Sequence, residues 1–225
     1  MSEDYGIKIR TPECLYEGVL GKSYVMIQSP VPFEGKSGKA ALNEDYLNIL
    51  QILIENTTVK KKFTESIFYK NLKANIDNYP LSYRDLLKDG LKCLEDRIGE
   101  KEITFALSHG DFAPWNMLWK GKEVFIFDWE SACLESPAGI DLVHFLFQTG
   151  FLLKKKKGKK LLEYITNPSY YALLKEMDDR NTPSVNDLVL IYLLKMAVDE
   201  DKPQQLSKPA VERRKMIKHV MGDRW

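Results

Sequence analysis

Asp111, Asn116 and Asp128 have side chains suited to moving a proton and holding a hard cation, and they lie close together in the chain. Asp111 and Asn116 belong to Ser108-His109-Gly110-Asp111-Phe112-Ala113-Pro114-Trp115-Asn116, and Asp128 to Phe127-Asp128-Trp129-Glu130 just beyond. A carboxylate within reach of a hydroxyl can orient it and take its proton. A second carboxylate beside an amide oxygen makes an oxygen-only site of the kind Mg²⁺ prefers, with waters and phosphates completing the shell.

The surrounding sequence explains how these groups would be positioned. The apolar run Ile103-Thr104-Phe105-Ala106-Leu107 reads as a short buried strand, and it delivers His109 and Asp111 into a loop that Gly110 and Pro114 keep irregular. Met117-Leu118-Trp119, a Lys120-Gly121 turn and Val124-Phe125-Ile126-Phe127 then read as a hairpin. Such a hairpin brings Asp128, at the end of its second strand, beside Asn116, at the start of its first. Isolated Asp and Asn residues commonly just cap turns, but three at this spacing around one hairpin favour a site.

With those residues placed, the segment resembles the catalytic loop and metal-binding segment of the aminoglycoside phosphotransferase and choline kinase group, a small-molecule branch of the protein-kinase-like fold. His109-Gly110-Asp111 with Asn116 matches H-x-D-x-x-x-x-N, and Asp128-Trp129-Glu130 matches D-x-[DE]. The resemblance implies an ATP-dependent phosphotransferase acting on a hydroxyl of a sugar, aminoglycoside or amino-alcohol. Asp111 would be the catalytic group and Asn116 and Asp128 the Mg²⁺ ligands. It also implies structural roles for His109 beneath the loop and for Asp141, in Ala138-Gly139-Ile140-Asp141-Leu142, as a brace at a helix start. Glu130 could touch metal-bound water or face solvent. His109 has only His144 and His219 for company and makes no zinc-like pair with either. Trp115 and Trp129 read as packing residues.

Upstream, residues 13 to 19 and 23 to 28 are strand-like runs flanking Leu20-Gly21-Lys22, which predicts a hairpin. Ser29-Pro30-Val31-Pro32 must then leave the sheet, because proline cannot donate to the ladder. By the family resemblance this is the hinge, with Gln28 and Ser29 as adenine contacts. Only residues 1 to 28 precede it, and they contain no glycine-rich loop and no strand-borne lysine in a fitting position. The small lobe therefore reads as truncated. Two accounts follow: a degenerate relative that binds nucleotide or a partner without turnover, or a chain starting internally, with the missing lobe upstream or on a separate chain. Gly21-Lys22-Ser23 and Glu34-Gly35-Lys36-Ser37-Gly38-Lys39 both lack the spacing of a phosphate-binding loop and read as a turn and a solvated loop.

The expected fold is α+β: residues 1–33 as a remnant small β lobe with hinge, and 34–225 as a mainly helical catalytic lobe carrying the catalytic-loop hairpin. Apolar periodicity predicts helices over 41 to 56, over 63 to 76 and over 87 to 98, the last capped from Ser82 or Asp85. Further helical stretches are expected over 139 to 153, 161 to 165, 170 to 177 and 185 to 198, the last apolar on nearly all faces, and in a basic segment over 209 to 221.

Composition sets limits on function. The 225 residues can bury a full core, and 33 basic against 32 acidic side chains give no argument for a nucleic-acid partner. Cys14, Cys93 and Cys133 form no C-x-x-C pair and suit reduced thiols in the cytoplasm. No apolar run approaches the length of a membrane span. The Lys154-to-Lys160 charge run reads as a solvated loop between helices.

Overall fold

The computed structural model describes residues 5–172, 181–199 and 207–222, with Leu81 and Ser82 described by backbone alone. The part of the expected 170-to-177 stretch beyond Ala172 lies outside these residues. The architecture is α+β, with three small sheets and a helical body.

The catalytic-loop hairpin forms as the sequence predicts, and it is the centre of a sheet. Strands β7 (Met117–Lys120) and β8 (Glu123–Ile126) pair antiparallel with Met117 opposite Ile126, and Gly121, at φ 62, turns the chain. Two short strands flank them. β1 (Lys8–Arg10) runs parallel to β8, and β4 (Lys36–Ser37) runs antiparallel to β7, giving the order β1-β8-β7-β4. Lys8 and Arg10 both pair with Glu123 across that edge. The segment that reads as a solvated loop is thus partly strand. Gly38 donates to the Pro114 carbonyl at 2.9 Å, and an added Cβ there would meet the Tyr46 hydroxyl and the Pro114 backbone.

β2 (Cys14–Leu20) and β3 (Ser23–Gln28) form the predicted hairpin as a separate two-stranded sheet. Glu13 and Ser29 tie its open end: the Ser29 N–H donates to the Glu13 carbonyl at 2.8 Å, and the Glu13 N–H donates to Ser29 Oγ at 2.9 Å. The chain then leaves the sheet through the prolines, as expected.

The third sheet, β5 (Val59–Lys62), β6 (Glu102–Ser108) and β9 (Cys133–Pro137), carries the catalytic loop at the end of its central strand. Only β6 is apolar enough to be expected. β5 is mostly lysine, and as an edge strand it gains its ladder from β6 while its ammonium groups stay wet, Lys61 pairing with Glu135 at 2.6 Å.

Helices α1 (Glu44–Thr57) and α2 (Ile67–Asp77) start at caps, Asn43 accepting from the Tyr46 N–H and Ser66 from the Tyr69 N–H. A 3₁₀ turn at Phe63–Glu65 precedes α2, in place of helix from residue 63. α3 (Leu81–Ile98) begins at Pro80 without a side-chain cap, so Ser82 and Asp85 lie inside the helix and do not cap it. Proline needs no donor there, its fixed φ being already close to helical. α4 (Ile140–Gln148) widens into a π turn at Thr149–Leu153, where the Thr149 hydroxyl donates to the Phe145 carbonyl. α5 (Gly158–Ile165) takes in the last three residues of the lysine run, and Lys154 lies over the Tyr164 ring.

α6 (Val185–Asp199) is buried on almost every face, as its composition predicts, and packs against α3, α4 and α7 (Lys208–Met221). The basic character of α7 is only partly a solvent face. Arg213 and Arg214 are buried, and the Arg214 guanidinium lies 3.2 Å from the centre of the Tyr83 ring.

Candidate active site

The catalytic loop leaves β6 at Ser108 and is gripped from beneath by α4. The Asp141 carboxylate, in the first turn of that helix, accepts the His109 N–H at 2.6 Å and the Gly110 N–H at 3.0 Å. Burial pushes its carboxyl up in pKa while these two donors pull the other way. Gly110 has φ +84, and a Cβ there would lie 2.1 Å from the Ser131 carbonyl oxygen, so the loop passes that backbone too closely for any side chain.

His109 is fully buried and serves the backbone with both nitrogens. Nδ1 accepts from the Asp111 N–H at 3.2 Å, and Nε2 donates to the Phe127 carbonyl at 2.9 Å. Its ring packs on Trp129, centroids 4.5 Å apart, and the indole N–H donates to the Ile126 carbonyl. Trp129 is thus a packing residue, and it links the loop to the end of β8. Trp115 is 37% exposed. Phe112 packs against Tyr46 of α1 and Phe145 of α4, anchoring the middle of the loop in the core.

Asp111 is the best-held half-buried carboxylate of the region. Asn116 Nδ2 donates to its carbonyl at 2.9 Å and to Oδ2 at 2.8 Å, while His144 Nε2 donates to Oδ1 at 2.7 Å. The His144 hydrogen bond above all, with help from Asn116, holds the Asp111 carboxyl below the usual carboxylate range against partial burial. It is ionised at neutral pH and able to accept a proton.

The hairpin ladder brings the remaining groups near. The Phe127 N–H donates to the Asn116 carbonyl at 3.1 Å, setting Asn116 across from the residue before Asp128. Because Asn116 turns its NH₂ toward Asp111, Oδ1 is its free end for a cation. Asp128 sits at φ 68, ψ 53, a left-handed conformation that costs a non-glycine residue on the order of 1–3 kcal/mol. Its exposed carboxylate makes no hydrogen bond or ion pair among the described residues. A strained, unpaired carboxylate of this kind suits a hard divalent cation that still carries water and phosphate oxygens. Among the described residues no group of three or more His, Cys, Asp or Glu side chains could hold a metal by itself. Glu130 is exposed beside Asp128.

Gln28 and Ser29 lie apart from this cluster, at the end of β3. Gln28 is exposed, with its amide on the Met26 sulfur, and Ser29 has both its N–H and its Oγ engaged by Glu13.

His144 is the one residue of the cluster that sequence reading passes over. A signal existed: Asp141 and His144 stand three apart at a helix start, and so share a face.

The family profile described as "APH: Phosphotransferase enzyme family" matches residues 77–155, a span containing every residue of the loop cluster from His109 to His144. No curated protein sequence matches the chain. Among solved structures, a thermostable mutant of aminoglycoside phosphotransferase APH(4)-Ia, in ternary complex with ADP and hygromycin B, is similar at TM-score 0.59 and 13% identity, over 96% of this chain and 77% of that one. Choline kinase LicA from Streptococcus pneumoniae is similar at TM-score 0.55 and 14% identity, over 97% and 76%. Amicoumacin kinase hAmiN, in complex with AMP-PNP, Ca²⁺ and Ami, is similar at TM-score 0.53 and 13% identity, over 97% and 73%.

The chain has the protein-kinase-like fold of the aminoglycoside phosphotransferases and choline kinases. The resemblance carried by His109 to Asp141 is borne out by that fold and by the profile match across the same residues.

Proposed function

We propose that the protein is an ATP-dependent phosphotransferase that moves the γ-phosphoryl group to a hydroxyl of a sugar, aminoglycoside or amino-alcohol. The observation that carries this reading is the Asp111 carboxylate, ionised, partly exposed and fixed through both oxygens on a loop anchored by Asp141. Such a group is positioned to align an acceptor hydroxyl and take its proton.

Asn116 Oδ1 and the Asp128 carboxylate are the proposed Mg²⁺ ligands. When bound, Mg²⁺ would neutralise charge on the nucleotide phosphates. Asp111 accepts the hydroxyl proton as the acceptor oxygen bonds to the γ-phosphorus and the bond from that phosphorus to the β–γ bridging oxygen breaks, releasing ADP. His109 and Asp141 hold the loop and do not touch the reactants. The adenine contact falls to Gln28 and to the Ser29 carbonyl, since the Ser29 N–H is engaged by Glu13. In this reading the β2–β3 hairpin and hinge, within residues 1–33, belong to a nucleotide-covering lobe, and 34–225 form the catalytic lobe. With three free cysteines and no described helix long and apolar enough to cross a membrane, the proposed setting is the cytoplasm.

One observation favours a second reading, a nucleotide or partner binder without turnover. No lysine stands on β2 or β3, and Lys8 lies in the catalytic-hairpin sheet beside Glu123, so the usual phosphate-pairing cation is missing from the described small lobe. Incubation with Mg²⁺ and γ-labelled ATP, against a panel of amino-alcohols, sugars and aminoglycosides, separates the two. Label transfer that Asp111→Asn removes supports the kinase; nucleotide binding without transfer to any acceptor supports the binder.

A further inference from the structure

We propose that His144 is the positioning residue for the Asp111 carboxylate, held in its donor form by Tyr192. This inference rests on the phosphotransfer reading and assigns a role to a side chain that reading leaves unused.

An aspartate carboxylate on a loop has two rotatable bonds, and a single hydrogen bond leaves it free to swing about that contact. Asp111 is bound twice, from different elements: Asn116, in the 3₁₀ turn at Pro114–Asn116, holds Oδ2, and His144, in α4, holds Oδ1. Together they fix the carboxylate plane, and each oxygen keeps a lone pair for an incoming hydroxyl. A donor already in place when substrate arrives costs no reorganisation at the moment of reaction.

His144 can serve as that donor because its other nitrogen is provided for. The Tyr192 hydroxyl of α6 lies 3.5 Å from Nδ1, and the two rings meet edge to face with centroids 5.8 Å apart. A hydroxyl donating to Nδ1 leaves the proton on Nε2, the nitrogen that faces Asp111. Both side chains are buried, His144 at 3% and Tyr192 at 1% exposure, so water does not compete for the bond between them. α4 therefore grips the catalytic loop at two levels: Asp141 binds the backbone of His109 and Gly110, and one turn later His144 binds the side chain of Asp111.

A histidine that merely fills space would show the same burial, so the test must read more than folding. His144→Leu keeps comparable volume without the donor, and His144→Gln places an amide N–H near the position of Nε2. With labelled acceptor and Mg²⁺-ATP, the expected result is a fall of about 10²-fold in kcat for His144→Leu, with the KM for ATP unchanged and most of kcat regained in His144→Gln. Tyr192→Phe should fall between them. A second measurement does not depend on turnover. In long-range ¹⁵N–¹H correlation spectra, only three histidines report, and His144 should carry its proton on Nε2, with that Nε2 signal displaced by Asp111→Ala.

Folded His144→Leu enzyme with kcat within about twofold of the unaltered chain would overturn the proposal, as would a His144 signal indifferent to Asp111→Ala. Absence of any transfer by the unaltered chain, with the His144 signal still answering to Asp111→Ala, would instead count against the phosphotransfer reading itself.

Discussion

Two antiparallel hairpins, β7–β8 and the longer β2–β3, treat their apolar side chains in opposite ways. In β7–β8, Met117, Val124 and Ile126 are fully buried and Phe125 nearly so. In β2–β3, Leu15, Val19, Leu20, Tyr24, Met26 and Ile27 are each at least half exposed. The first hairpin has a strand on either side and Tyr46 of α1 against its Trp119; the second has no flanking strand among the described residues. Strand sequence makes a hairpin, but packing against other elements makes it rigid, and rigidity is what holding Asn116 beside Asp128 requires.

The largest expected effect lies at the rigid hairpin's end. Asp128→Ala should abolish Mg²⁺-dependent nucleotide binding, measured by calorimetry, whereas Gln28→Ala beside the exposed hairpin should weaken it only modestly. Asp111→Asn should leave nucleotide binding nearly intact and lower turnover by about 10²–10⁴-fold, read as label transfer. Equal loss of both would contradict the division of roles between Asp111 and Asp128.

Glycine substitutions sharpen the contrast. Gly110→Ala must place a Cβ against the Ser131 carbonyl at positive φ, and should cost more than about 4 kcal/mol in urea unfolding. Gly21→Ala, also at positive φ but with open space around it, should cost about 1–2 kcal/mol. For side chains the same ordering holds. Ile126→Ala should cost about 2–5 kcal/mol, and Val19→Ser on the exposed hairpin no more than about 0.5 kcal/mol. A large loss from Val19→Ser would mean that β2–β3 is packed in solution, and the comparison would fail.

What the sequence discloses follows the same division. Both hairpins are legible, because apolar runs bracketing Gly21 and Gly121 are local signals. So is the buried helix α6, whose composition leaves it no polar face. Four edge strands are not legible. Lys8–Arg10, Lys36–Ser37, Val59–Lys62 and Cys133–Pro137 have little apolar pattern of their own and exist because a neighbour supplies the ladder. The start of α3 is missed for a related reason: Pro80 begins the helix without a capping side chain to announce it.

In the site, Asp111, Asn116 and Asp128 are visible through their spacing in one continuous segment. His144 shows only as the residue three beyond Asp141 on one helix face, and Tyr192 not at all, since its contact joins α6 to α4 across the core. Short-range chemistry can be read from order, whereas the support beneath it depends on tertiary packing.

A nucleotide site made by the Asp111 loop, Asp128 and the hinge must bind ATP together with Mg²⁺. Calorimetric titration of ATP into the purified chain, with and without Mg²⁺ and repeated on Asp128→Ala, tests it most directly. The expected result is saturable binding that requires Mg²⁺ and disappears in the variant. Binding of equal strength in all three titrations, or none in any of them, would contradict it.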